Sequence, residues 1–126
     1  MTGTSHLSDE ELSARMLKKK LWVVMSRVVK PDGVAKHRRA HLEYQIKLER
    51  DGIMYGAGPA TKPGESSPAF GLIVIRAKDE AEARRIADND PMHSTGTRQY
   101  ELYSWSLNEG RISVTLNFSD QSFKFD

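Results

Sequence analysis

Four histidines, His6, His37, His41 and His93, carry most of the proton chemistry this chain can offer near neutral pH. Imidazole is the side chain whose unperturbed pKa lies closest to 7, so it serves as acid, base or metal ligand. His37 and His41 stand four residues apart, on one helical face, at a spacing that metal ligands use. Between them lie Arg38, Arg39 and Ala40 rather than the glutamate of an H-E-x-x-H motif. Two guanidinium groups beside a divalent cation repel it. No metal site is therefore expected, and His37 is expected in solvent. His41 borders the apolar Leu42 and Leu48 and is expected to be partly buried, where a neutral imidazole works as acid or base. The other reading of His41 is a hydrogen-bonded structural histidine.

Asp90 is the carboxylate best placed to join His41. It falls one turn past Ile86 and Ala87, on their apolar stripe, and Pro91 restricts its backbone. It can cap the turn spanning 91–94, or it can orient the imidazole and stabilise the imidazolium that forms. Arg38 belongs to the basic run Lys36-His37-Arg38-Arg39, which reads either as a solvated face or as a hold on an anionic substrate. The backbone near Gly58 is a second candidate for a developing oxyanion.

Other chemistries lack their residues. There is no cysteine, so thiolate catalysis and sulfur-ligated metals are out. Gly56-Ala57-Gly58 is not GxGxxG and opens no helix, and there is neither a P-loop nor a G-x-S-x-G elbow. No cofactor is expected. A net charge of +2 gives no nucleic-acid footprint. Trp22, Tyr100, Tyr103 and Trp105 fall on predicted strands and read as core. The longest apolar runs, Leu21–Met25 and Leu72–Ile75, are too short to span a bilayer, and the first twenty residues lack an apolar leader. The expectation is a cytoplasmic protein with no membrane partner. With 126 residues, 38% of them hydrophobic and 29% charged, one globular domain is expected.

The elements that must position these groups follow from periodicity. Ser8 and Glu11 form a capping box for a first helix, with Leu12 and Met16 on one face and Lys18, Lys19 and Lys20 at its negative end. Leu21–Val29 reads as a central strand, broken by Pro31-Asp32-Gly33. Val34–Arg50 reads as a helix with Ala35, Leu42 and Ile46 clustered, Leu48 to one side and Gly52 past its end. Ile53–Tyr55 is a short strand, 60–68 a loop, and Phe70–Ala77 a buried strand. Asp79 starts a helix with Ala83, Ile86 and Ala87 inward, stopping near Asn89. Gln99–Leu107 is a strand, Asn108-Glu109-Gly110 a hairpin turn, and Arg111–Phe118 a strand with Ile112, Val114, Leu116 and Phe118 on one side. The expected fold class is α+β: a ferredoxin-like βαββαβ domain over 21–107, an N-terminal helical extension over 1–20 and a C-terminal strand extension over 108–126. Helices on one face leave the other face of the sheet bare, which predicts a homodimer.

Arg38-Arg39-Ala40-His41-Leu42, Gly52, Gly58-Pro59 and Ala87-Asp88-Asn89-Asp90-Pro91 occur in order. From about Leu21 to Trp105 the chain resembles the YciI-like (YCII-related) family. The resemblance implies a ferredoxin-like fold and dimers of the dimeric α+β barrel kind, similar to muconolactone isomerases. It implies a His–Asp active pair matching His41 and Asp90. Arg38, Gly58, Pro59 and His93 are the residues expected to bind the substrate. The implied activity is isomerase or lyase chemistry on a cyclic carbonyl or lactone-like small molecule, some relatives being dehydrochlorinases of chlorinated hydroxyquinols. The alternative is a non-catalytic small-ligand-binding or dimerisation module. The first helix and last strand depart from the short family form.

Overall fold

Leu21–Val29 is rich in β-branched and aromatic residues, and strand β1 forms over Lys19–Val28 in the computed structural model, which describes residues 3–125. Helix α2 (Asp32–Arg50) follows, ended by Asp51 and by Gly52 at a positive φ of 75° that favours glycine. Strand β2 (Met54–Ala60) is longer than its apolar start suggests. Backbone pairing carries it through Gly56–Ala60, and Pro59 is tolerated because β2 is an edge strand. Strand β3 (Phe70–Ile75) leads to helix α3 (Glu80–Asp88), capped by the Asp79 carboxylate on the Glu82 N–H at 2.9 Å. A single helical turn, α4 (Pro91–Ser94), precedes strand β4 (Arg98–Leu107).

The four strands form one sheet in the order β2-β3-β1-β4, the ferredoxin-like arrangement. β3 runs antiparallel to both β1 and β2, with Trp22 opposite Ile75 and Val24 opposite Ile73. These four side chains share the face that packs on Ala83 and Ala87 of α3 to make the core. Tyr100 and Leu102 border this core, as expected of strand aromatics. Tyr103 and Trp105, read as core from the sequence, are instead partly exposed. Val23 and Val74, Met25 and Leu72 pair on the second face of the sheet, and Leu72 is exposed.

The chain divides into two compact units, Lys20–Ser106 just described, and Met1–Lys19 with Leu107–Asp126. In the second unit the capping box forms as expected, Ser8 and Glu11 each donating its N–H to the other's side chain at 3.1 Å. Helix α1 is only Asp9–Ala14, however, and Lys19 and Lys20 belong to β1 rather than to the helix end. So short a helix with one weak apolar stripe has little to prolong it. The strand expected over Arg111–Phe118 shortens to β5 (Val114–Leu116), and it pairs not with β4 but with β6 (Phe123–Phe125). Val114 faces Phe125 and Leu116 faces Phe123, so one face of this hairpin is apolar, and all four side chains are largely exposed. No helix among the described residues is long and apolar enough to cross a membrane.

The contrast between the units sets a stability test. Ile75 is fully buried, so Ile75→Ala should cost about 2–5 kcal/mol in urea unfolding. Phe118 is 95% exposed, so Phe118→Ala should stay within about 0.5 kcal/mol of wild type.

Candidate active site

Pro91 cannot continue a helix and pushes the residue before it out of the helical region. Asp90 accordingly takes φ −65° and ψ 126° between α3 and α4. There its carboxylate caps α4, accepting the Met92 N–H at 2.9 Å. The same carboxylate, 2% exposed, lies 2.8 and 2.9 Å from His41 Nδ1 on α2. Gln45, one helical turn beyond His41, donates to it from Nε2 at 3.4 Å. The cap and the imidazole partner are thus one group.

A carboxylate only accepts, so Nδ1 of His41 carries the proton towards Asp90. In the neutral ring, Nε2 then holds the lone pair, and the side chain, 14% exposed, lines an open cavity of about 510 Å³. Arg38, His41, Leu42, Gln45, Ile46 and Glu49 line it at helical spacing along one face of α2. Leu42 and Ile46, 42% and 48% exposed, are part of this wall, and Leu48 is the buried residue of α2. The apolar stripe read from the sequence therefore faces the cavity, while Ala35 is exposed. β2 and β3 form the facing wall, including Gly58 and Pro59, and Pro68 joins from the loop between those strands. His37 is partly exposed and is not among the lining residues. Among the described residues, no group of three or more His, Cys, Asp or Glu is gathered to hold a metal.

His93 is placed differently from the other expected binding residues. Its Nδ1 donates to the Ala87 carbonyl at 2.7 Å, which leaves Nε2 to accept the Ser26 hydroxyl, also at 2.7 Å. The ring sits 4.9 Å from that of Tyr100 and outside the large cavity, lining a much smaller one with Val24, Ile75 and Asp90. Burial pushes its pKa down, only partly opposed by the Ala87 carbonyl and Asp90. Tyr44 donates to the Ile86 carbonyl at 2.6 Å and so ties α2 to α3. Burial and then the Asp90 charge push its phenol up.

Among the lining residues that sequence reasoning did not assign to the site are Gln45, Gly71 and Arg98. Gln45 had a signal, one turn from His41. Arg98 and Gly71 meet only through the fold, the Arg98 guanidinium lying over the bare Cα of Gly71 in β3.

Residues 20–106 match the YCII-related domain family. The chain belongs to this family. No curated protein matches it. Among solved structures, this YCII-related domain is similar to 5-chloro-2-hydroxyhydroquinone dehydrochlorinase (TftG) from Burkholderia phenoliruptrix AC1100, in complex with 2,5-dihydroxybenzoquinone. The TM-score is 0.56 at 18% identity, over 68% of this chain and 92% of that one, a likeness of fold. The matched residues agree with the span from about Leu21 to Trp105 over which the chain resembles the family.

The depressed pKa of His93 has a definite sign in stability. Above its ordinary value of 6.5 both folded and unfolded forms are neutral, and the native state holds its full stability. As pH falls below that value the unfolded chain takes up the proton first, and stability drops towards the folded pKa. Urea melts at about pH 7.5 and about pH 5.5 should show this loss in wild type and a smaller one in His93→Gln.

Proposed function

We propose that this domain is a small-molecule enzyme in which His41 moves a proton on a cyclic carbonyl or lactone-like substrate. The observation that carries the reading is the 2.8 Å contact between His41 Nδ1 and the buried Asp90, with the imidazole at the wall of an open cavity. Nε2 takes a proton from the carbon beside the carbonyl, and Asp90 stabilises the imidazolium. Electron density moves to the carbonyl oxygen, near Arg38 and the backbone at Gly58, and Pro59 shapes the wall. Return of the proton to another atom gives isomerisation. Loss of a leaving group, such as chloride, gives elimination. A relative in fold named as a dehydrochlorinase supports the second outcome. His93, with both ring nitrogens bonded inside the protein, serves to hold α4 to β1 rather than to bind substrate.

Two assays test this. One follows deuterium wash-in from heavy water into cyclic ketones and lactones by NMR. The other measures chloride released from 5-chloro-2-hydroxyhydroquinone. His41→Ala should slow the reaction by roughly 10²–10⁴-fold, and Asp90→Asn should also remove most turnover, both keeping the wild-type circular dichroism. A His41→Ala protein as fast as wild type would sink the mechanism.

A second reading is favoured by the Asp90 cap on Met92: the pair is structural and the cavity only binds. His41→Ala would then lower Tm while leaving ligand-induced shifts of Tm unchanged.

We propose further that two copies pack sheet against sheet. The face bearing Leu72, Val23 and Met25, with Tyr103 and Trp105 partly exposed, supplies the apolar surface. Sedimentation at micromolar concentration should give a dimer, and a stable monomer would rule it out.

A further inference from the structure

Among the described residues, two buried side-chain polar atoms lack a hydrogen-bond partner, Gln45 Oε1 and Arg98 Nε, and both belong to residues lining the large cavity. Gln45 turns its amide nitrogen to Asp90, so its oxygen is left without a donor. Arg98 is the more telling of the two. Its guanidinium has no ion pair and no hydrogen bond among the described residues, although it is partly buried. A guanidinium withdrawn from water without a counter-charge is unfavourable, and an incoming anion relieves that cost.

The surroundings fit this role. A Cβ built on Gly71 would lie 3.2 Å from Arg98 Nη1, so the cation packs closely over the bare Cα and a side chain at this position would have to push it aside. Gly71 faces Ser26 across β1, which puts the guanidinium on the helix-bearing side of the sheet, where His41 also lies. The charged lining groups are Arg38, Arg98 and Glu49, with His41 paired to Asp90 beneath, so the wall carries more positive than negative charge. Leu42, Ile46, Met54 and Phe70 make the remainder largely apolar.

We infer that Arg98, seated over Gly71, is the counter-ion for a ring-sized organic anion, and that the cavity selects such anions over neutral molecules of the same shape. The inference rests on reading this cavity as the ligand site and narrows what enters it. A charge-assisted pair with Arg98 supplies the selectivity, and the apolar walls hold the ring.

Benzoate and its neutral counterpart benzamide are suitable probes, titrated at low salt by calorimetry and NMR. Wild type should bind benzoate at least about tenfold more tightly than benzamide. Arg98→Gln should bring the ratio close to one. Arg39→Gln removes the same charge from an exposed arginine paired with Glu43 on the same helix, and it should keep the preference. Equal affinity of wild type for both probes, no measurable benzoate binding, or a preference that survives in Arg98→Gln would overturn the inference. So would an equal loss in Arg39→Gln, which would make the preference a matter of net charge. Should Arg98→Gln not fold, benzoate must shift the Gly71 amide resonance in wild type, and no shift there also overturns it. Binding is read at equilibrium, so failure of the proton-transfer reading is distinguishable. A His41→Ala protein that is inactive or as active as wild type still reports on Arg98 through its preference for benzoate.

Discussion

A carboxylate removed from water must be surrounded by donors, and Asp90 is the clearest instance in this fold. Its oxygens are met by the His41 ring, the Met92 amide and the Gln45 side chain. These come from α2 and α4, and Asp90 itself stands where α3 has just ended. One buried charge therefore fixes how three helices meet. Each of those partners offsets part of the cost of burying the charge, so the geometry of the site and the packing of the helices are one constraint. The proline after Asp90 holds the backbone in the extended form that lets the carboxylate reach both the next turn and α2.

The sheet supplies the rest of the arrangement. Its helix-bearing side holds the core where Trp22, Val24, Ile73 and Ile75 meet α3. Further along the same side, at Ser26 and Gly71, the strand residues are small. α2 is not closely packed there, and the cavity occupies the gap. The change from bulky to small residues along the strands thus separates the stabilising part of the sheet from the open part. The protein keeps its core at one end and the cavity at the other.

Much of this was legible in the chain. Period-two and period-3.6 patterns located β1, α2, β3, α3 and β4, and the Asp-Pro step marked the end of α3. The encounter of His41 with Asp90 was accessible through the ordered motifs that hold them, Arg38-Arg39-Ala40-His41-Leu42 and Ala87-Asp88-Asn89-Asp90-Pro91. Other features were not legible, for physical reasons. Leu42 and Ile46 look alike whether they face a core or a ligand cavity. Tyr103 and Trp105 look like core because a strand pattern does not say which face of the sheet is covered. β6 is three residues long and carries too little pattern to detect, and its pairing with β5 displaced the hairpin expected with β4. Arg98 and Gly71 are distant in sequence and meaningful only together. The position of His93 depended on two hydrogen bonds, to Ser26 and Ala87, that no spacing encodes.

Pro68, in the connection between β2 and β3, lines the cavity but takes no part in the contacts around Asp90. A surface connection accepts insertions and exchanges far more readily than a buried charge network does. Changes in the length or composition of that segment can alter the shape of the chamber while leaving the His41–Asp90 contact untouched. Related chains can therefore vary the chamber along one stretch of polypeptide and inherit the buried charge network from another.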